Sequence, residues 1–194
     1  MSRSAGWRRQ FSVATIAREE PGLPEEGGPF ARLCVALRNY QFSDPSIVTA
    51  HFDPAHPFEG RRMLLEIRIL GLRILTGTLI GAVSEERSAG TDQFGFRYET
   101  LEGHIEAGYE WFMIRKDHAT GEIRFSIEAR WRMGEFPNAW SRLGFHLLAR
   151  PMQKRWHRRA HRRMSLLSRF PVEELRSRGG RIAHEGPRIS FDFE

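Results

Sequence analysis

The sequence predicts an α+β domain in which a curved antiparallel β-sheet packs against a long C-terminal α-helix. Two patterns lead to this prediction. Apolar and polar residues alternate along much of the stretch from Arg62 to Met133, which is typical of strands with one buried face. After Pro137 the apolar residues recur every three or four positions, as in an amphipathic helix. The hydrophobic fraction of 40% in 194 residues is sufficient for one core.

The predicted strands follow one another through short links, which favours a meander. The last strand has the clearest alternation, because Ile123 to Met133 places all its odd-numbered residues on one face. Gly71 predicts a tight turn or a β-bulge between two earlier strands. Residues 35–42 are predicted to be a strand, but residues 30–36 could instead form a helix. Earlier strands are predicted over residues 13–16, 35–42, 63–70, 72–83, 94–98 and 106–115.

The predicted helix begins after Asn138, a suitable N-cap residue, and reaches about Ser168. Pro151 is expected to kink or split it, because proline removes a backbone hydrogen bond. Its apolar stripe, which we expect to face the sheet, consists of Met152, Trp156, Ala160, Met164 and Leu167.

The chain is expected to divide into three parts. Residues 1–30 contain a cluster of proline and glycine and are predicted to be an arm or linker. Residues 31–170 form the predicted domain, in which residues 43–60 are mostly loop with room for a short helix. Residues 171–194 are predicted to be a tail.

Basic charge is concentrated in one segment. Residues 136–172 contain nine Lys or Arg and no Asp or Glu, while the rest of the chain has a net charge of −3. The simplest interpretation is a solvated helix face, and the alternative is a surface for nucleic acid or anionic membrane. The basic residues of the helix form two rows, Lys154, Arg158 and Arg162 in one and Arg155, Arg159 and Arg163 in the other.

The most distinctive motif runs from Phe94 to Phe112. Its sequence, FGFRYETLEGHIEAGYEWF, resembles the signature of the DUF1990 family, a group of unknown function found in bacteria and plants. Residues 39–45 and 140–144 also match, whereas Glu99 and Tyr109 depart from the signature. The resemblance implies a START-like, Bet v 1-like helix-grip fold, in which the sheet grips the C-terminal helix around an apolar cavity. It implies no established activity.

The predicted function is binding of a small hydrophobic or amphipathic ligand in that cavity. His104 and Glu106 lie two residues apart at the start of a strand, so they would share a face and could act as an acid–base pair. The alternative is structural, with His104 holding the turn and Glu106 capping backbone amides or pairing with an arginine. Whether the chain is an enzyme therefore stays open. The predicted ligand-binding residues are Tyr98, Thr100, His104, Glu106, Phe125, Ile127 and Trp156.

No metal or other cofactor is predicted. The pairs His51 with His56 and His157 with His161 match no metal-site spacing, and the lone Cys34 is expected to be a core residue. One cysteine excludes an internal disulfide, and no signal peptide or membrane span is apparent, so a cytoplasmic location is expected. The ligand's identity and the oligomeric state do not follow from the sequence.

Overall fold

One antiparallel sheet of seven strands, with helices on its inner face, forms the structure. The computed structural model describes residues 6–69, 71–101, 106–133 and 139–177, without the side chains of residues 106, 133 and 139–150. The elements in chain order are β1 (Arg8–Arg18), α1 (Pro29–Arg38), β2 (Val48–His51), β3 (Arg62–Ile69), β4 (Leu72–Arg87), β5 (Thr91–Thr100), β6 (Glu106–Asp117), β7 (Glu122–Met133), α2 (Ala139–Leu167) and α3 (Val172–Ser177).

The strands lie in the order β1-β7-β6-β5-β4-β3-β2, so β3 to β7 form the predicted meander. Ile69 pairs with Leu72 across the β3–β4 turn, and Gly71 adopts a φ of +82° there. That backbone conformation is readily open to glycine alone, which explains the turn at this position. The sequence prediction of a curled antiparallel sheet with a C-terminal helix is confirmed.

The strand predicted over residues 35–42 is wrong, because the first half of this segment belongs to α1 and the second half forms turns. Pro29 stands in the first turn of α1, where its missing N–H costs no hydrogen bond. Leu33, Ala36 and Leu37 then bury one helical face completely. Tyr40 ends the segment with a φ of 55°, a left-handed conformation that stops a helix.

Three elements extend the sheet and the core beyond the predicted ones. β1 contains the strand predicted over residues 13–16, is longer than it at both ends, and pairs with β7 along its whole length. β2 lies in the segment predicted as loop and pairs with β3. α3 follows α2 within the predicted tail and buries Leu175 against the core.

The long C-terminal helix is confirmed, and it continues through Pro151 without a break. The predicted apolar stripe faces the sheet, since Trp156, Ala160 and Met164 are buried. Asn138, the predicted N-cap, lies outside the described residues. The helix therefore closes the concave face of the sheet along the part whose side chains are described.

An aromatic core fills the space between the sheet, α1 and α2. Phe42 lies at its centre, with ring centroids 4.6 Å from Phe112 and 6.1 Å from Trp156. Phe96 and Phe125 complete this aromatic core, and Phe125 has no exposed surface. Tilted and edge-on contacts of this kind add to the stabilisation that burial provides.

A buried ion pair fixes the start of α1 to β6. The side chains of Lys116 and Glu19 are both 0% exposed, and Lys116 Nζ lies 2.6 Å from Glu19 Oε2. Lys116 also donates to the carbonyls of Glu20 and Leu23. The other Glu19 oxygen accepts the backbone N–H of Phe30 at 2.6 Å. Both charges thus have their hydrogen-bonding capacity largely satisfied, as buried charges require.

Candidate functional site

A cavity of about 170 Å³ lies between the sheet and α2. It is slightly larger than an engineered cavity of about 150 Å³ that holds benzene, so one aromatic ring with a short chain would fit. Tyr40, Tyr98 and Trp156 contribute aromatic walls. Its aliphatic wall comes mainly from β3, β4 and α2 and includes Ile47, Leu65, Ile67, Ile69, Ile74 and Met152.

The register of the sheet creates a polar end in this cavity. Tyr98 on β5 is directly opposite Glu110 on β6, and Glu110 is directly opposite Ala129 on β7. All three line the cavity. Two residues further along each strand, Phe96 is directly opposite Phe112. The inner face of the sheet therefore changes from aromatic core to polar site over two residues.

Glu110 joins a chain of polar contacts that leads away from the cavity. The Tyr98 hydroxyl donates to Glu110 Oε2 at 2.6 Å. The other carboxylate oxygen, Oε1, lies 3.4 Å from Nε2 of His157. Ser12 Oγ on β1 lies 2.8 Å from His157 Nδ1 and 2.9 Å from His161 Nε2. We call Tyr40, Tyr98, Glu110, His157, Ser12 and His161 the polar cluster.

Several buried atoms of the polar cluster lack a hydrogen bond of normal geometry within the described part of the chain. They are the Tyr40 hydroxyl, Glu110 Oε1, His157 Nε2 and His161 Nδ1. Buried polar atoms in proteins are nearly always hydrogen-bonded. Two of these atoms belong to residues that line the cavity, Tyr40 and Glu110, which indicates a place that can accept a polar group from another molecule.

The protonation of two members follows from their surroundings. Burial, together with the Glu110 carboxylate, raises the pKa of Tyr40 well above 10, although contact with Tyr98 acts in the opposite direction. Tyr40 is thus a neutral phenol. Burial and the neighbouring His157 lower the pKa of His161 to about 4, so its imidazole is neutral at pH 7.

Three of the predicted ligand-binding residues, Tyr98, Thr100 and Trp156, line the cavity. The Thr100 hydroxyl is already engaged, because it accepts from Gly108 N at 2.9 Å and donates to Gly108 O at 3.2 Å. Trp156 Nε1 donates to Ser43 Oγ at 3.0 Å, which leaves the Trp156 ring as an apolar wall.

The other four predicted residues lie elsewhere or beyond description. Phe125 and Ile127 are fully buried in the hydrophobic core and are not among the residues that line the cavity. His104 lies outside the described residues. Glu106 is the first residue of β6, and its side chain also lies outside them. The acid–base pair of His104 and Glu106 therefore stays a prediction.

Sequence reasoning missed Tyr40, Glu110 and His157. A signal existed for Glu110, because it stands two residues before Phe112 and therefore has the same inward parity. His157 follows Trp156 directly and lies at helical spacing from Ala160 and Met164, but its proximity to Glu110 depends on how α2 crosses the sheet. Tyr40 gave no usable signal, since its segment was predicted to be a strand.

Other charged side chains on the strands lie away from the cavity. Glu66 is on the outer face of β3, with its Oε1 3.0 Å from Arg68 Nε and its Oε2 3.3 Å from His51 Nε2. Glu128 on β7 pairs with Arg9 and Arg130. These ion pairs are therefore part of the outer surface of the sheet.

Other histidines and the cysteine have local partners. His56 pairs with Asp53 at 2.9 Å on an exposed loop. In the described ranges, no group of three or more His, Cys, Asp or Glu side chains is arranged to hold a metal ion. Cys34 packs against the core, and burial raises the pKa of its thiol to about 12.

The basic residues of α2 whose side chains are described divide into two sets. Arg159 donates to Asp44 at 2.7 Å and Arg163 donates to the Gln41 carbonyl at 2.5 Å, so both fasten α2 to the loop after α1. The other four are exposed and form no ion pair with an acidic residue in the described part of the chain: Lys154, Arg155, Arg158 and Arg162. We call these four the basic face. None of the described helices is long and apolar enough to cross a membrane.

Comparison with known proteins gives a family and a fold. A sequence profile described as a domain of unknown function, DUF1990, matches residues 4–163. No curated protein sequence gives a significant match.

Solved structures resemble the whole domain. TTHA0849 from Thermus thermophilus is 8% identical, with a TM-score of 0.51 over 84% of this chain and 96% of that chain. A norcoclaurine synthase point mutant from Thalictrum flavum, in complex with a transition-state analogue, is 6% identical, with a TM-score of 0.51 over 82% of this chain and 94% of that chain. At such low identity the likeness shows the fold alone, and that fold is the Bet v 1-like helix grip.

Proposed function

This chain belongs to the DUF1990 family, and we propose that it is a binding module that holds one small hydrophobic or amphipathic molecule between the sheet and α2. The observation that carries this proposal is the cavity of about 170 Å³ with its aliphatic and aromatic walls. Pockets that bind small molecules are mostly apolar, with a few convergent polar groups. The cavity and the polar cluster have this composition.

The packing elsewhere in the domain supports the proposal. Protein interiors are normally close-packed, with few voids larger than a water molecule. The aromatic core follows this rule, since Phe42, Phe96 and Phe112 have almost no exposed surface. The aromatic core is thus well packed. The cavity is a local gap in the packing and does not reflect a loosely packed domain.

Calorimetric titration with propylbenzene tests the proposal on the intact chain. The unmodified protein is expected to bind one equivalent. Ala129→Leu should weaken binding at least about tenfold, because a larger side chain at this buried, cavity-lining position occupies the space. Ser126→Leu is the matched control, since it lies on the same strand with the opposite parity and does not line the cavity. Absence of binding to the unmodified protein, or equal binding to both variants, would contradict the proposal.

A second proposal is that the basic face docks on a polyanionic surface, either nucleic acid or anionic membrane. Four exposed cations on one helix, without acidic partners in the described ranges, create a positive potential that attracts phosphate groups. The triple variant Arg155→Ala, Arg158→Ala and Arg162→Ala should lose binding to an RNA oligomer or to phosphatidylglycerol vesicles. The charge-matched control replaces Arg87, Arg115 and Arg176. Equal binding by both triple variants would exclude this surface.

A further inference from the structure

We propose that the molecule bound in the cavity carries a protonated amine, and that Glu110 at the polar end binds the ammonium group. This inference rests on the proposed binding function and specifies the chemistry of the ligand. It follows from the charge, the hydrogen bonding and the aromatic surroundings of one buried carboxylate.

Glu110 is almost completely enclosed, with 8% of its side chain exposed. The distance of 2.6 Å from the Tyr98 hydroxyl to Oε2 is in the range of a hydroxyl that donates to an ionised carboxylate. Oε1 has no hydrogen bond among the described residues, and its nearest basic neighbour is His157 at 3.4 Å. One carboxylate oxygen of this cavity-lining residue thus lacks a donor among the described residues.

Among the described residues, the cavity offers this carboxylate no permanently charged partner. Among the lining residues, only Arg130 has a side chain that is always cationic. Its guanidinium is engaged on the outer face of the sheet, with Nε 3.0 Å from Glu128 Oε1. A buried charge is stabilised only when it is paired and hydrogen-bonded. An ammonium ion supplies both the opposite charge and up to three donors.

The remaining walls suit an organic cation better than an anion or a metal ion. Tyr40 and Tyr98 line the same end of the cavity as Glu110. The faces of aromatic rings attract cations, and this attraction is strongest where water is excluded. The aliphatic wall then accommodates the apolar part of the molecule. An anionic ligand would instead bring its charge against a buried carboxylate, which is strongly unfavourable.

Four probes of nearly equal size separate charge from shape: phenethylamine, phenethyl alcohol, propylbenzene and hydrocinnamate. Calorimetric titration of the unmodified chain near pH 7 should give tighter binding of phenethylamine than of propylbenzene by about ten- to hundredfold, the range of a hydrogen bond to a charged group. The alcohol should lie between them, and hydrocinnamate should bind most weakly. This ranking does not depend on any variant being folded.

Glu110→Gln should remove the preference for the amine, because the amide keeps an acceptor for Tyr98 but loses the charge. Propylbenzene should bind this variant as it binds the unmodified chain. Glu99→Gln is the matched control, since Glu99 lies next to Tyr98 on the opposite face of β5 and pairs with Arg97. It should change the affinity for none of the probes.

The outcomes separate this inference from the proposed function. If propylbenzene or hydrocinnamate binds at least as tightly as phenethylamine, the amine preference is overturned while the binding function stands. If Glu110→Gln folds and keeps the amine preference, the role of Glu110 is overturned. If no probe binds, both the inference and the proposed function are overturned.

Discussion

Two buried carboxylates, Glu19 and Glu110, lie against opposite ends of β6, and their surroundings differ. Glu19 meets the Lys116 ammonium and the backbone N–H of Phe30, and both side chains of the pair are 0% exposed. Glu110 has one neutral donor at 2.6 Å, a histidine at 3.4 Å and one oxygen without a hydrogen bond to a described residue. The first carboxylate has both its charge and its hydrogen bonds matched by described residues, whereas one oxygen of the second has no donor among them.

The packing around the two carboxylates differs in the same way. Between Glu110 and Lys116 the inner face of β6 carries Phe112 and Ile114, both fully buried. The Lys116 end has close-packed surroundings that include the start of α1, and the Glu110 end has the cavity. At the Lys116 end the buried polar groups are hydrogen-bonded and the surroundings are closely packed. At the Glu110 end one carboxylate oxygen lacks a hydrogen bond to a described residue, and a cavity lies beside it. The first arrangement is expected of a structural ion pair, and the second is expected of a ligand site.

The largest expected effect comes from neutralising each carboxylate in turn. Glu19→Gln should lower the free energy of unfolding by about 3–5 kcal/mol, because it leaves the Lys116 ammonium buried without its counter-charge. Glu110→Gln should change it by about 1 kcal/mol or less, since the amide still accepts from Tyr98 and no permanent cation is left unpaired. Urea unfolding of both variants measures the difference. Equal losses would show that the two carboxylates have the same structural role.

A smaller effect is expected from Gly108→Ala, which tests how tightly the strands are held beside the cavity. A Cβ at this position would lie 2.3 Å from the Arg130 carbonyl oxygen and 2.7 Å from Trp131 Cα, so the backbones of β6 and β7 would have to separate. The expected loss is about 1–3 kcal/mol, typical of overpacking.

Gly90→Ala is the matched control for this change. It lies in an exposed turn, where no atom is within 4 Å of the added Cβ and no positive φ is required. Its unfolding free energy should be nearly that of the unmodified chain. If Gly108→Ala also leaves the free energy of unfolding unchanged, β6 and β7 can move apart more easily than their close backbone contact indicates.

The smallest effect is a pH dependence that distinguishes the polar cluster from the ion pair of Glu19 and Lys116. His161 takes up a proton near pH 6.5 in the unfolded chain but only near pH 4 in the folded one. Between these values the unfolded state binds more protons, so the stability contributed by neutral His161 is present above pH 6.5 and is lost as the pH falls toward 4. Thermal unfolding from pH 7 to 4.5 should therefore show a falling Tm.

His161→Asn should flatten this dependence, because asparagine does not titrate in the range. His56→Asn is the matched control, since His56 is exposed and contacts only its own loop and Arg61. Asp44, Glu66 and Glu128 also lose stabilising charge below about pH 5, because their pKa values are lowered in the folded chain. The difference in slope between the His161→Asn and His56→Asn variants therefore isolates the part that His161 contributes. An unchanged slope in His161→Asn would exclude His161 as its source.

Most of the architecture followed from periodicity, and the exceptions have physical causes. The alternation of β7 and the helical stripe from Met152 to Leu167 reflect burial on one face, which the order of residues records directly. The segment that forms α1 is a short apolar run with β-branched and aromatic residues, and such runs are compatible with strand and helix alike. β2 has only four residues, and its extended conformation depends on pairing with β3. A segment this short is too brief for an alternating pattern to identify it as a strand.

The site was less predictable than the fold because it depends on contacts between distant segments. Tyr98 and Trp156 could be proposed from strand and helix patterns. The joining of Glu110 to His157, and of His157 to Ser12, brings together three elements far apart in the chain. Parity places Glu110 inside the sheet, but only the crossing of α2 over β6 and β1 determines which polar groups it meets.

The contacts between α2 and the loop after α1 have a consequence for how a molecule enters or leaves. Trp156 is hydrogen-bonded to Ser43, Arg159 to Asp44 and Arg163 to the Gln41 carbonyl. Lifting the helix would break all three bonds and pull on the aromatic core at the same time. At the margin of the sheet, the four-residue β2 pairs with a strand on one side only, and Ile47 and Val48 at its start line the cavity. Exchange of a bound molecule is therefore expected to proceed at this margin of the sheet, while the helix stays in place.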